Sequence, residues 1–162
     1  MMIYTDYEKI VSILSEMSHN ELNNYIIPGL SSSLISGEGY GKIRLFKAVR
    51  EMHYFVTPHS HRWNFAALVL KGKVRNSLYL KSSDIDEQAD AYCLSTIGQV
   101  CGADGLNNYI HARENVPSYW KRITHEYKAG ETYSMEYSQI HSISFEKGTE
   151  VLFFESPEKT HI

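Results

Sequence analysis

A chain of 162 residues, 43% hydrophobic and 22% charged, is long enough for one domain with its own core and has the composition of an ordinary globular protein. A net charge of −3 and a pI near 6.2 argue against a dedicated binder of nucleic-acid polymers, although a small nucleotide or sugar needs only one local cationic group. Cys93 and Cys101 lack metal-clip spacing and read as reduced thiols, the N-terminal segment is unlike a signal peptide, and no apolar run reaches the length of a membrane span. The expected setting is the cytoplasm, with no membrane partner.

The N-terminal segment carries two helix-start patterns. Thr5 with Glu8 is a capping box, followed by Ile10, Ile13, Leu14 and Met17 at helical spacing. Ser18 with Glu21 repeats it and predicts a short second helix through Leu22 and Tyr25, ended by Pro28-Gly29. The Ser31-Ser32-Ser33 triplet and Gly37-Glu38-Gly39 read as loop. From residue 40 the texture turns to short aromatic and β-branched runs, with strands expected over 42–49, 53–57, 62–70, 74–81, 92–99, 121–127, 133–137, 142–145 and 150–155. The polar stretch 102–117 is expected to be a loop. Helices over 1–28 followed by strands over 40–157 predict a single all-β domain spanning 1–162, of the antiparallel barrel or jelly-roll kind, with a short N-terminal helical segment.

Within the strands, Pro58-His59-Ser60-His61 is the segment richest in chemistry. Alternate residues of a strand share a face, so His59 and His61 project together and make half of a metal site. A third imidazole is available at His141. In a chain with eight histidines, a His-X-His pair alone is as readily two surface imidazoles on an edge strand. Spacing carries the case further. His53 precedes His59 by five intervening residues, three residues separate His61 from Phe65, and six more lead to Gly72. In the later segment, five residues separate Gly130 from Glu136, and Tyr137, Ser138 and two further residues lead to His141, with Phe145 after three more.

In these two spacings and their order the chain resembles the cupin superfamily over roughly residues 40–157. It departs from the pattern where the first motif's glutamate is Phe65, where the second motif's proline and glycine are Glu136 and Ser138, and where its asparagine is Phe145. Three histidines without the carboxylate resemble the thiol dioxygenases, the cysteine dioxygenase-like cupins. Further likenesses are Leu70-Lys71-Gly72, Tyr133 eight positions before His141, and Ser156-Pro157 after the last strand. The resemblance implies a cupin double-stranded β-helix, His59, His61 and His141 as metal ligands, and Tyr133 as a site hydroxyl, although Tyr133, Met135 and Tyr137 alternate on one strand and read first as core packing. It also implies an arginine, Arg44 or Arg50, to anchor a substrate carboxylate. A homodimer paired through edge strands is expected on the same ground.

Neutral imidazole suits Fe(II), Zn, Cu and Ni, and three such ligands leave coordination positions open; Fe(II) is expected first, with Zn, Mn or Ni as the other candidates. With no carboxylate the ion keeps its full charge and favours chelating anions such as a thiolate. Phe65 is expected to make one corner dry, Trp63 to wall the pocket, and either Arg75 or Asn76 to face the interior. The leading expectation is a mononuclear Fe(II) dioxygenase-like enzyme acting on a small thiol or similar chelating metabolite. The alternatives are a non-catalytic cupin holding a small polar ligand such as a sugar or nucleotide, and a Zn or Mn isomerase or hydrolase.

Overall fold

The computed structural model describes residues 19–23, 28–36, 42–52, 56–82, 89–101 and 107–157. Its strands are β1 (His19–Leu22), β2 (Leu30–Ser36), β3 (Lys42–Ala48), β4 (Phe65–Lys71), β5 (Lys73–Lys81) and β6 (Ala89–Tyr92), then β7 (Ser95–Cys101), β8 (Asn107–Arg113), β9 (Ser118–Lys128), β10 (Thr132–Met135), β11 (Ile140–Phe145) and β12 (Glu150–Glu155). No helix occurs among the described residues, and so none there is long and apolar enough to cross a membrane. The chain divides into two compact units, Met1–Leu78 with Thr124–Ile162, and Tyr79–Ile123.

The first unit holds the six-stranded sheet β1-β2-β3-β12-β4-β10, whose neighbours run antiparallel, and β11 beside the first half of β5. Alternation decides which face is buried. Phe46 and Ala48 of β3, Phe65, Ala67 and Val69 of β4, and Val151 and Phe153 of β12 pack inward with Ile143 and Phe145 of β11. The opposite parity of the same strands supplies a second cluster, Leu45, Leu70 and Leu152, flanked by Ile35, Ile43 and Leu68. Both faces of this sheet therefore bury side chains, which is why β4 reads as a continuous apolar run. The second unit contains β6 against the first part of β9 and the β7–β8 ribbon.

Two glycines at motif positions set the turns. Gly72 joins β4 to β5 at φ 74°, and a Cβ there would come within 2.8 Å of the Thr149 backbone. Thr149 Oγ1 accepts from Lys73 N and donates to Lys73 O, at 3.0 Å each, locking that turn against the start of β12. Gly130, at φ 88°, turns the chain from β9 into β10 and donates its N–H to Val69 O.

Several expected elements differ. Residues 19–22 form a strand rather than the second helix, because pairing with Ser32 and Leu34 of β2 outweighs a short capping pattern. The serine triplet is strand, not loop: Ser31, Ser32 and Ser33 are buried and paired with β3. Residues 107–113 are β8, paired along their length with β7, where a loop was expected. The expected strand from 62 begins only at Phe65, and the expected strand 92–99 divides into β6 and β7. The capping pattern at Thr5, most of the strand expected over 53–57, and the Gly37–Gly39 loop fall outside the described residues.

Candidate metal centre

Residues 56–61 run extended beside β11 and build the site before β4 begins. Val56 N donates to Ile143 O, and His59 and His141 exchange both backbone bonds, at 2.8 and 2.9 Å. His61 N then donates to Tyr137 O in the β10–β11 turn. Asn64 clamps the same turn from the other side: its Oδ1 accepts from Tyr137 N at 2.9 Å, and its N–H reaches Ser156 Oγ. The His-X-His pair is thus seated by pairing to the segment that carries His141, which explains why two motifs 80 residues apart converge.

One ring nitrogen from each of His59, His61 and His141 lies within 4.8 Å of the others. His61 Nε2 and His141 Nε2 are 2.9 Å apart. His141 is buried, with Nδ1 2.7 Å from Asn76 Oδ1. Asn76 Oδ1 can only accept, so His141 carries its proton on Nδ1 and presents a lone pair at Nε2. His59 Nδ1–H likewise donates to Thr57 O at 2.7 Å, leaving its Nε2 open. Burial, and then the charge of His59, lowers the pKa of His61 to about 4. Burial, then His59 and His61, lowers that of His141 to about 3. Both rings are neutral at pH 7, the form that ligates metals.

These residues fit a divalent ion. Ligand nitrogens about 2.1 Å from one ion and at right angles to each other stand about 3 Å apart, the spacing His61 and His141 already have. His59 stands further out, and its half-buried ring can close that difference while its backbone stays paired to His141. No carboxylate joins the cluster among the described residues.

Phe65 stands where a glutamate was expected to be replaced. Its ring lies 5.0 Å from that of His61, 5.7 Å from His141 and 5.3 Å from Phe153, joining the site to the core. Trp63 is 6.0 Å from His61 and partly buried. Register settles the choice between the residues after Gly72: Asn76 is buried on the interior side, and Arg75 is exposed. Tyr133 faces inward, stacked 4.6 Å from Tyr127 and edge-on to Phe65. Its buried hydroxyl finds no hydrogen-bond partner among the described residues, and burial, then Tyr127, raises its pKa.

Arg44 shares the inward parity of Phe46 and Ala48, and its Nε lies 3.2 Å from Glu155 Oε1. Burial raises the Glu155 pKa, against the opposing pull of Arg44 and Lys42. Arg50 is exposed after β3 and packs beside Gly29, and nothing places it with the histidines. An open cavity of about 660 Å³ lies at the ends of β4, β10 and β12, with Phe65, Met135 and Phe154 beside Asn64, Glu136 and Glu155. Sequence reasoning did not find the Thr57 carbonyl, the Asn64 clamp or the Glu155 partner of Arg44, all of which depend on pairing across the sheet.

No family model matches this chain, and no curated protein matches it. Solved structures do. The cupin domain of Drosophila melanogaster CENP-C aligns at TM-score 0.50 and 9% identity, over 93% of this chain and 98% of that one. The fold is a cupin fold. Bacillus subtilis oxalate decarboxylase, described with Mn(II) centres, aligns at TM-score 0.51 and 14% identity. That match covers 91% of this chain but 29% of the decarboxylase. KdgF from Halomonas sp. aligns at TM-score 0.48 and 13% identity, over 87% of this chain and 88% of that one. The cupin fold and the three-histidine group together describe a protein that could bind a divalent metal.

Proposed function

We propose that this cupin is a mononuclear metal enzyme, most like an Fe(II) dioxygenase of a small chelating metabolite such as a thiol. The observation that carries this reading is the convergence of three imidazoles, two of them tied at Nδ1 so that Nε2 is left to face the cluster, with Phe65 in place of a carboxylate. His59, His61 and His141 would hold the ion, and a bound Fe(II) would supply Lewis acidity and one-electron chemistry. Phe65 and Trp63 exclude water from one side, which strengthens electrostatic attraction for an anionic chelator. Tyr133 keeps a protonated hydroxyl available as a hydrogen-bond donor. Arg44 is the arginine with interior parity, and it would anchor an acidic group by sharing with Glu155.

The test is oxygen uptake by Fe(II)-loaded protein against a panel of small aminothiols and thiol acids. Consumption with at least one thiol, abolished in His141→Ala, is the expected result. Metal-loaded protein that consumes no oxygen with any of them would contradict the dioxygenase reading.

A second reading, a barrel that captures a small polar ligand without turnover, is favoured by the 660 Å³ cavity and its hydrogen-bonding groups Asn64, Glu136 and Glu155. It predicts thermal stabilisation by a sugar or nucleotide that survives chelator. A Zn or Mn isomerase or hydrolase would use the same histidines without oxygen. We also propose a cytoplasmic homodimer, for which light scattering at micromolar concentration would return twice the chain mass.

A further inference from the structure

We infer that Met135 and Asn76 form a relay that sets the tautomer of His141 and thereby aims its Nε2 at the neighbouring histidines. The inference rests on the metal-centre reading for its purpose, but not for its geometry. Asn76 is 3% exposed and uses both ends of its amide: Oδ1 meets His141 Nδ1 at 2.7 Å, and Nδ2 meets Met135 Sδ at 3.5 Å. An amide can be turned end for end, and in the turned form Nδ2 would face His141 Nδ1. His141 would then have to accept at Nδ1 and carry its proton on Nε2, the atom that lies 2.9 Å from His61.

The sulfur decides between the two. A thioether accepts weakly and cannot donate. Turned, the amide would set Oδ1 against Met135 Sδ, acceptor against acceptor, in a pocket where Met135 is 4% exposed. Met135 therefore holds the amide with its oxygen toward His141. An acceptor on Nδ1 is what keeps a ligating imidazole in the Nδ1–H form and fixes the plane of its ring. Asn76 and Met135 are positioning residues, on β5 and β10, and neither contributes a ligand of its own. They act on His141, whereas His59 has the Thr57 carbonyl.

The experiment pairs two readouts on the full chain. Long-range ¹H–¹⁵N spectra of metal-free protein at pH 8, with His141 assigned by its loss in His141→Gln, report the tautomer. Co(II) titration followed by its visible absorption reports affinity. Wild type should show His141 protonated at Nδ1. Asn76→Leu should shift it to a mixture and weaken Co(II) about 10- to 100-fold. Asn76→Asp, which can only accept from Nδ1–H, should restore the tautomer, a rescue that a purely structural role does not predict. Met135→Leu, nearly volume-conserving, should weaken Co(II) about 2- to 5-fold. An Nδ1–H tautomer unchanged in Asn76→Leu would overturn the inference. So would a wild-type His141 protonated at Nε2. If wild type takes up no Co(II), the metal-centre reading fails and the tautomer spectra alone decide the relay.

Discussion

His61 and His141 carry the clearest energetic signature of the site, because burial holds both neutral well below the ordinary imidazole range. The unfolded chain binds these protons near pH 6.5, whereas the folded chain resists them until about pH 4 and about pH 3. Folded-state pKa values below the unfolded ones mean that the stabilisation is fully present above pH 6.5 and is lost as pH falls toward those values. By pH 5 the loss should be on the order of 2 kcal/mol per ring. Denaturant unfolding at pH 7 and pH 5 measures it. His61→Gln should show a shallower fall than wild type, and an equal fall would mean that other groups carry the acid sensitivity. Phe65 lies against the rings of His61 and His141, and its place was legible as a departure from a familiar spacing. Asn76 was legible only as one of two alternatives, since a strand register known to within one residue exchanges interior for exterior.

At the scale of strands, Arg44 and Glu155 join β3 to β12 through a largely buried ion pair, with side chains 16% and 9% exposed. Removing one partner of such a pair leaves the other charge buried. Arg44→Leu should destabilise the protein by about 3–5 kcal/mol, and adding Glu155→Leu should recover most of the loss. Chemical denaturation of the single and double variants tests this. Additive losses would show that the two side chains act separately. The elements that were read well, β3, β4, β5, β10, β11 and β12, have apolar residues at period two or in continuous runs, and Gly72 and Gly130 mark their turns. Those read otherwise were decided by pairing with an adjacent strand. His19 and Leu22 pair with β2, Ser31 to Ser33 are buried between neighbours, and Asn107–Arg113 pairs with β7, none of which local propensity records.

For the molecule as a whole, the cupin fold survives at 9% identity to a solved cupin domain, so sequence identity is a poor guide to it. Spacing is a better one. The turn glycines, the paired extended segments and the strand lengths between them fix where His59, His61 and His141 can meet. The proposed chemistry is less legible than the place, because Phe65, Asn76, Tyr133 and Glu155 meet their neighbours across strands far apart in sequence. The central claim is that the three histidines form one metal centre. Its most direct measurement is the metal content of protein purified without chelator and then reconstituted with Fe(II), determined by elemental analysis beside His141→Ala. The account predicts roughly one ion per chain in wild type and a large loss in the variant. Wild-type protein that retains no metal after reconstitution, or a His141→Ala variant that retains as much as wild type, would contradict it.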